Sequence, residues 1–151
     1  MGNCLKVGIL GAGNIAGSMA EALNELQKEG KACAYAVASR SQEKALEFAR
    51  KWNITRAYSS YEELASDPEV DLIYIATPHS LHYGKNVLVE KAFTANARQA
   101  EELFAMAEEK KVFITEAIWT RYMPSREIIT GLLREGVIGT PQILEAEFSV
   151  Q

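Results

Sequence analysis

The length, composition and charge of the chain are those of one ordinary globular domain. It has 151 residues, 48% hydrophobic and 24% charged, which is enough for a real core, and nothing suggests disorder. The formal net charge of -4 gives no electrostatic reason to expect nucleic acid or an anionic membrane as a partner. Two cysteines are too few for a disulfide framework, and no apolar stretch approaches the roughly 20 residues that span a bilayer. We therefore expect a cytoplasmic protein.

The first predicted strand is followed by a glycine turn. The apolar run Leu5–Leu10 is typical of a buried parallel strand, and a helical pattern begins after the turn Gly11-Ala12-Gly13-Asn14-Ile15-Ala16. Gly11 permits the tight turn, Gly13 lets the backbone approach a pyrophosphate, and Ala16 lets the helix pack closely on its strand. We expect the helix N-terminus to bind the phosphates of a nucleotide. The alternative is a glycine turn with only a structural role.

A second unit consists of a strand over Ala32–Ala38 and a helix over Gln42–Trp52. Dinucleotide folds usually place an acidic residue after this strand, where it binds the ribose 2′-hydroxyl. This chain has Ser39-Arg40 there, and a hydroxyl beside a guanidinium can bind and neutralise a 2′-phosphate. The pattern favours NADP over NAD, with Ser41 and Lys44 as additional candidates, although Ser41 could equally be the N-cap of the helix. The alternative is an exposed loop arginine that binds no ligand.

The later elements continue the alternation of strands and helices. Strands are predicted at 56–59, 71–76, 86–89 and 112–115, with a helix over 101–111. Ser60 and Glu63 form a capping-box pattern that begins a brief helix, which Asp67-Pro68 ends. Alternating strands and helices indicate an α/β fold of the Rossmann type. Its doubly wound parallel sheet should have the strand order 3-2-1-4-5-6 and helices on both faces.

The connection between the fourth and fifth predicted strands is too short. Only residues 77–85 separate them, whereas parallel neighbours need a crossover of about a dozen or more residues, normally with a helix. Pro78 and Gly84 also discourage a helix in this segment. Either the two strands are not parallel neighbours, or the sequence omits a crossover helix between about Tyr83 and Gly84. We favour the omission.

Two polar segments follow the fourth and fifth strands, and a third follows the sixth. The segments after the fourth and fifth strands lie at the carboxyl ends of those strands, which is the edge of a parallel sheet where ligands bind. The segments read Ala76-Thr77-Pro78-His79-Ser80-Leu81-His82, Glu90-Lys91-Ala92-Phe93-Thr94 and Glu116-Ala117-Ile118-Trp119-Thr120-Arg121-Tyr122-Met123-Pro124. With them the chain resembles the glucose-fructose oxidoreductase (Gfo/Idh/MocA) family of NAD(P)-dependent dehydrogenases, and above all its dihydrodiol and xylose dehydrogenase branch. The resemblance covers essentially the whole chain.

The resemblance implies a set of cofactor-binding residues. In the family the glycine turn binds the pyrophosphate, the Thr-Pro segment contacts the nicotinamide half, and the Glu-Lys pair reaches the nicotinamide and the substrate. Carried over, these are Gly11, Gly13, Asn14, Ile15, Thr77, Pro78, His82, Glu90 and Lys91. His79 replaces the usual asparagine, and Ala92 replaces the usual proline. Trp119 and Arg121 are expected to frame the cofactor edge, although Trp119 could instead pack in the core.

Lys91 is the best local candidate for a catalytic residue. Oxidation of a secondary alcohol needs hydride transfer to the nicotinamide while a base or a hydrogen-bond network takes the hydroxyl proton. The alternative is a Glu90-Lys91 pair that ends a strand on a solvated edge. His79 and His82 are a poor metal site, because no cysteine or carboxylate cluster accompanies them, and we expect no metal.

The resemblance also implies a second α/β domain that this chain lacks. Residues 1–124 are assigned to the dinucleotide-binding domain, and residues 125–151 to a linking helix and the first strand of the truncated substrate domain. The helix, predicted over 125–135, should turn Ile128, Ile129, Leu132 and Leu133 inward, and the strand should cover 141–150. Family members generally form homo-oligomers through the sheet of the second domain.

The sequence therefore predicts an oxidoreductase that uses NADP(H), with NAD as the alternative cofactor. It should transfer hydride between the nicotinamide and a secondary alcohol or carbonyl of a sugar, diol or polyol. One alternative is a regulator that binds NAD(P) without catalysis. The other concerns the 151-residue chain itself, which would be an inactive cofactor-binding fragment of the enzyme.

Overall fold

The computed structural model describes residues 4–75 and 84–147. Its strands are β1 (Leu5–Leu10), β2 (Ala32–Ala38), β3 (Arg56–Tyr58), β4 (Leu72–Ile75), β5 (Asn86–Val89) and β6 (Ile114–Glu116). The helices are α1 (Asn14–Lys28), α2 (Gln42–Trp52), α3 (Tyr61–Ser66), α4 (Ala97–Lys110) and α5 (Pro124–Arg134), with a 3-10 turn at Trp119–Tyr122. The largest difference from the predicted bounds of a helix is at α4, which begins at Ala97 instead of residue 101.

The six strands form one sheet in the order β3-β2-β1-β4-β5-β6, and all neighbours are parallel. The predicted Rossmann-type fold is therefore confirmed. One row of paired residues crosses the whole sheet near the carboxyl ends of the strands. It consists of Tyr58, Ala38, Leu10, Ile75, Val89 and Glu116. The residues that follow this row are brought to a single edge.

Helices cover both faces of the sheet. On one face, Val7, Ile9 and Tyr74 pack with residues of α1 and α2 such as Ala16 and Phe48. Ala16 is completely buried, as expected where the helix packs closely.

On the other face, Leu10 and Ile73 pack with Leu64 of α3. A Cβ added at Gly8 would lie 2.6 Å from Cδ2 of Leu64, so the glycine permits the close approach of β1 to α3.

The helix caps follow the local sequence. Ser60 accepts a hydrogen bond from the backbone N–H of Glu63, and the carboxylate of Glu63 accepts one from the Ser60 backbone N–H, which is the predicted capping box. Ser41 caps α2, and Asn96 caps α4. Each cap satisfies an N–H group that has no partner within its helix.

The structure excludes one of the two explanations of the short connection. β4 and β5 are adjacent and parallel, with Tyr74 opposite Leu88 and Ile75 opposite Val89. The alternative in which these strands are not neighbours is therefore wrong. Residues 76–83 lie outside the described part of the chain, and an omitted crossover segment remains our interpretation.

The chain divides into two compact units, residues 1–117 and 118–151. In the second unit, the four apolar residues of α5 that were predicted to point inward are 42–64% exposed, so that prediction is wrong for this chain. Residues 141–147 form no strand, because an extended segment without a neighbouring strand has no ladder to join. Within the described residues, no helix is long and apolar enough to cross a membrane.

Asp67 connects three elements of the first unit. Its buried carboxylate accepts hydrogen bonds from Tyr58 at 2.8 Å, from the guanidinium of Arg56 at 3.0 Å and from the backbone N–H of Glu69 at 3.0 Å. Lys85, just before β5, donates to the Asp67 carbonyl at 2.9 Å. Burial opposes ionisation of the carboxylate, but its three donors, Glu69, Tyr58 and Arg56, outweigh burial and lower the pKa of Asp67 below its ordinary value.

We predict that Asp67→Asn destabilises the domain by about 2 kcal/mol at neutral pH, because charge-assisted hydrogen bonds are lost. A lowered folded-state pKa means that the carboxylate stabilises the fold above the unfolded pKa of about 3.8, and this contribution disappears as the pH falls through the folded value. In urea denaturation, the difference in unfolding free energy between the original chain and the variant should therefore shrink below that pH.

A suitable control is Glu62→Gln, on the exposed surface of α3. It should change the unfolding free energy by less than about 0.5 kcal/mol. A difference for Asp67→Asn that stays constant down to about pH 2 would contradict the assigned ionisation.

Candidate functional site

The turn after β1 is shaped by its first glycine. Gly11 has a φ of 105°, a conformation that side-chain-bearing residues rarely adopt. Its backbone N–H donates to the carbonyl of Ala38 at 2.8 Å. Because Ala38 ends β2, this hydrogen bond fixes the glycine turn beside Ser39 and Arg40, which come next in the chain.

The N-terminus of α1 is open. Gly13 is the N-cap residue, so no side chain caps the helix, and the first turn has no acidic residue. A Cβ added at Gly13 would meet nothing within 4 Å. Asn14 and Ile15 begin the helix, and Ile15 is 51% exposed. Free N–H groups, the positive end of the helix dipole and open space together fit a pyrophosphate group.

The residues after β2 combine a buried hydroxyl with exposed cations. Ser39 is buried, and its hydroxyl accepts a hydrogen bond from the Ser41 backbone N–H at 3.4 Å. Arg40 is exposed. Lys44 and Asn14 line opposite sides of a groove of about 530 Å³ between α1 and α2. Two cations, Arg40 and Lys44, therefore follow β2, whose end is fixed beside the glycine turn.

The Glu90-Lys91 pair follows β5 at the same edge. The backbone N–H of Glu90 donates to the carbonyl of Ile75 at 3.0 Å, which holds the segment against the end of β4. Glu90 Oε2 accepts from the Lys91 backbone N–H at 3.1 Å, and the peptide bond between Lys91 and Ala92 is cis. The Lys91 side chain is exposed, and among the described residues its ammonium forms no ion pair.

Two residues at this segment were not predicted from the sequence. The hydroxyl of the buried Tyr74 donates to Glu90 Oε1, and burial together with that carboxylate raises the pKa of Tyr74. Glu116 Oε1 accepts from the Phe93 backbone N–H at 2.8 Å. The position of Glu116 at the end of β6 is a signal that could have identified it, whereas Tyr74 fits the pattern of a core residue.

The structure does not place several of the predicted site residues at the carboxyl edge of the sheet. Thr77, Pro78, His79 and His82 lie outside the described residues. Trp119 and Arg121 belong to the second unit, on its 3-10 turn, and Trp119 is 57% exposed. In residues 4–75 and 84–147 no group of three or more His, Cys, Asp or Glu could hold a metal ion.

A parallel sheet in this order, with an open helix N-terminus after its first strand, defines a dinucleotide-binding Rossmann protein. Residues 5–117 match the model of the oxidoreductase family with an NAD-binding Rossmann fold. The chain belongs to this family, known as Gfo/Idh/MocA.

Curated relatives include two trans-1,2-dihydrobenzene-1,2-diol dehydrogenases. The enzyme of Xenopus tropicalis is 41% identical over 97% of this chain and 47% of its own length, and that of Mus musculus is 42% identical over 95% and 46%. The chain thus spans about half the length of these relatives. The aligned region of the Xenopus enzyme extends over 155 residues, more than this whole chain has, so the relative includes residues without a counterpart here.

Solved structures of similar fold include an NAD-binding oxidoreductase from Klebsiella pneumoniae, with a TM-score of 0.81 and 28% identity over 91% of this chain and 40% of its own. A 3-ketoreductase from Actinomadura kijaniata, solved in complex with NADP, has a TM-score of 0.75 and 32% identity over 91% of this chain and 46% of its own.

We predict that Glu116→Ala loosens the segment after Lys91, because the Phe93 N–H loses its acceptor. Amide hydrogen exchange at Phe93 should accelerate about tenfold, the factor that corresponds to one lost hydrogen bond. Exchange at the amides of β5 should be unchanged. Glu109→Ala, on the exposed surface of α4, is the matched control and should leave the Phe93 amide protected. An unchanged exchange rate at Phe93 in Glu116→Ala would contradict the conclusion that the Glu116 carboxylate holds this N–H.

Proposed function

We propose that the chain is the cofactor-binding part of an NADP(H)-dependent oxidoreductase. The observation that carries the proposal is the common edge of the sheet, where the open N-terminus of α1, Arg40 and Lys91 follow three parallel strands. An extended dinucleotide could lie across the ends of these strands, with its phosphates at the N-terminus of α1 and its nicotinamide near Lys91. The cofactor supplies hydride transfer at its nicotinamide ring.

The preference for NADP rests on the residues after β2. A carboxylate there would repel a 2′-phosphate, whereas Ser39 offers a hydroxyl and Arg40 an exposed guanidinium that forms no ion pair within the described residues. Lys44, in the first turn of α2, provides a second cation and lines the groove beside Gly13 and Asn14. The NADP complex of the similar 3-ketoreductase gives independent support.

Lys91 is proposed as the catalytic residue of this half of the site. Its ammonium is exposed at the sheet edge, while the carboxylate of Glu90 is engaged by Tyr74 and by the Lys91 backbone. An ammonium without an ion-pair partner can hydrogen-bond a substrate hydroxyl or carbonyl oxygen, and can exchange a proton with it.

We propose a diol, sugar or polyol with a secondary alcohol as substrate, since the curated relatives are named diol dehydrogenases. Because the chain spans about half of their length, we assign cofactor binding to the 151-residue chain and turnover to a longer protein that includes a substrate domain. The two free cysteines support a reduced, cytoplasmic location.

The first test of the proposal is the cofactor preference. In fluorescence titrations, the chain should bind NADPH more tightly than NADH, and Arg40→Ala should weaken NADPH binding about 10- to 100-fold with little effect on NADH, because a charge-assisted contact to the 2′-phosphate is lost. Arg50→Ala removes an exposed arginine of α2 and should change neither affinity. Equal affinities for the two cofactors before and after Arg40→Ala would refute the NADP assignment.

The second test is the role of Lys91. In the longer enzyme, Lys91→Met should lower turnover of a diol or sugar sharply, by at least about 100-fold, while NADP binding is retained. Lys28→Met, at the far end of α1, is the control and should leave turnover unchanged. A full rate in Lys91→Met would exclude this lysine from catalysis and favour a regulator that binds the cofactor without using it.

A further inference from the structure

Tyr74 is a buried polar group that the sequence does not connect to the cofactor edge. It lies in the interior of the sheet, paired with Ile9 on one side and Leu88 on the other, and is 1% exposed. Its neighbours in this core layer are apolar. A buried hydroxyl in such surroundings needs a partner, since an unsatisfied one costs about 1–3 kcal/mol.

The partner is the carboxylate of Glu90. Glu90 comes two residues after Leu88, so its side chain lies on the same face of the sheet as Tyr74. The Tyr74 hydroxyl donates to Oε1, and Oε2 accepts from the Lys91 backbone N–H at 3.1 Å. Both carboxylate oxygens are therefore engaged, and neither pairs with the Lys91 ammonium.

We infer that Tyr74 is a positioning residue: its hydroxyl holds Glu90 so that the carboxylate braces the Lys91 backbone and does not pair with the Lys91 ammonium. Without the hydroxyl, Glu90 is free to rotate outward and to pair with that ammonium. The carboxylate would then no longer hold the Lys91 N–H, and the lysine would no longer be fixed at the sheet edge.

Two features support a permanent donor role for the hydroxyl. Burial and the adjacent carboxylate raise the pKa of Tyr74 above its ordinary value, so the phenol is protonated at neutral pH. On the other side of Ala92, Glu116 holds the Phe93 N–H, so both N–H groups that flank the Lys91–Ala92 bond are bound by carboxylates. The exposed lysine is thus fixed through its backbone.

This inference rests on the proposed function, because it requires Lys91 and Glu90 to lie at the nicotinamide end of the cofactor. The test uses the 151-residue chain and two probes, NADPH and 2′,5′-ADP, which lacks the nicotinamide half. We expect Tyr74→Phe to raise the Kd for NADPH about tenfold, because the released Glu90 carboxylate turns outward and pairs with the Lys91 ammonium at the nicotinamide end, and to leave the Kd for 2′,5′-ADP unchanged.

Tyr58→Phe is the matched control. It removes another hydroxyl that donates to a buried carboxylate, that of Asp67, at 2.8 Å and away from Lys91. It should change neither Kd. A double-mutant cycle with Glu90→Ala gives a sharper readout, because Tyr74→Phe should have no further effect on NADPH binding once its partner is absent.

The outcomes separate the two proposals. An original chain that binds neither probe would overturn the proposed function. An original chain that binds both, with unchanged NADPH binding in Tyr74→Phe, would overturn only the positioning role, as would an equal loss of both affinities. If Tyr74→Phe does not fold, Glu90→Gln replaces it. The amide of this variant has only one acceptor oxygen for the Tyr74 hydroxyl and the Lys91 N–H, so the Kd for NADPH should rise while the Kd for 2′,5′-ADP stays unchanged. An unchanged Kd for NADPH would refute the inference.

Discussion

The parallel pairing of neighbouring strands determines that the glycine turn, Arg40 and Lys91 follow the same edge of the sheet. Leu10 is opposite Ala38 on one side and opposite Ile75 on the other, and the same row continues through Val89 to Glu116. Strands that run in one direction and end in one row bring the residues after them to the same edge. Reversing a single strand would move its terminal residues to the opposite edge of the sheet.

The segment after β5 shows how an exposed loop is held without burial. Backbone N–H groups at the end of a strand have lost their ladder partners and need other acceptors. Here Glu90 and Glu116 provide them, and Tyr74 keeps Glu90 in place from within the core. The backbone of Lys91 is fixed by these contacts, while its side chain stays at the surface, which suits the ligand contact that we propose for it.

Most of the fold could be predicted because its signals are local. The apolar run of β1, the glycine turn and the capping box of α3 each depend on a few consecutive residues. The helical pattern of α5 was also correct, but the direction of its apolar residues was not. Periodicity shows that a helix has an apolar side, and whether that side is buried depends on what packs against it.

The sequence by itself determined the alternation of strands and helices, the glycine turn before α1 and the cation after β2, since each requires particular residues at short spacing. Only the tertiary structure decided that β4 and β5 are neighbours and that Tyr74 meets Glu90. The physical reason is the register of the sheet. Which residues of two strands face each other depends on the packing of all six strands and both helix layers, and no short segment encodes that alone.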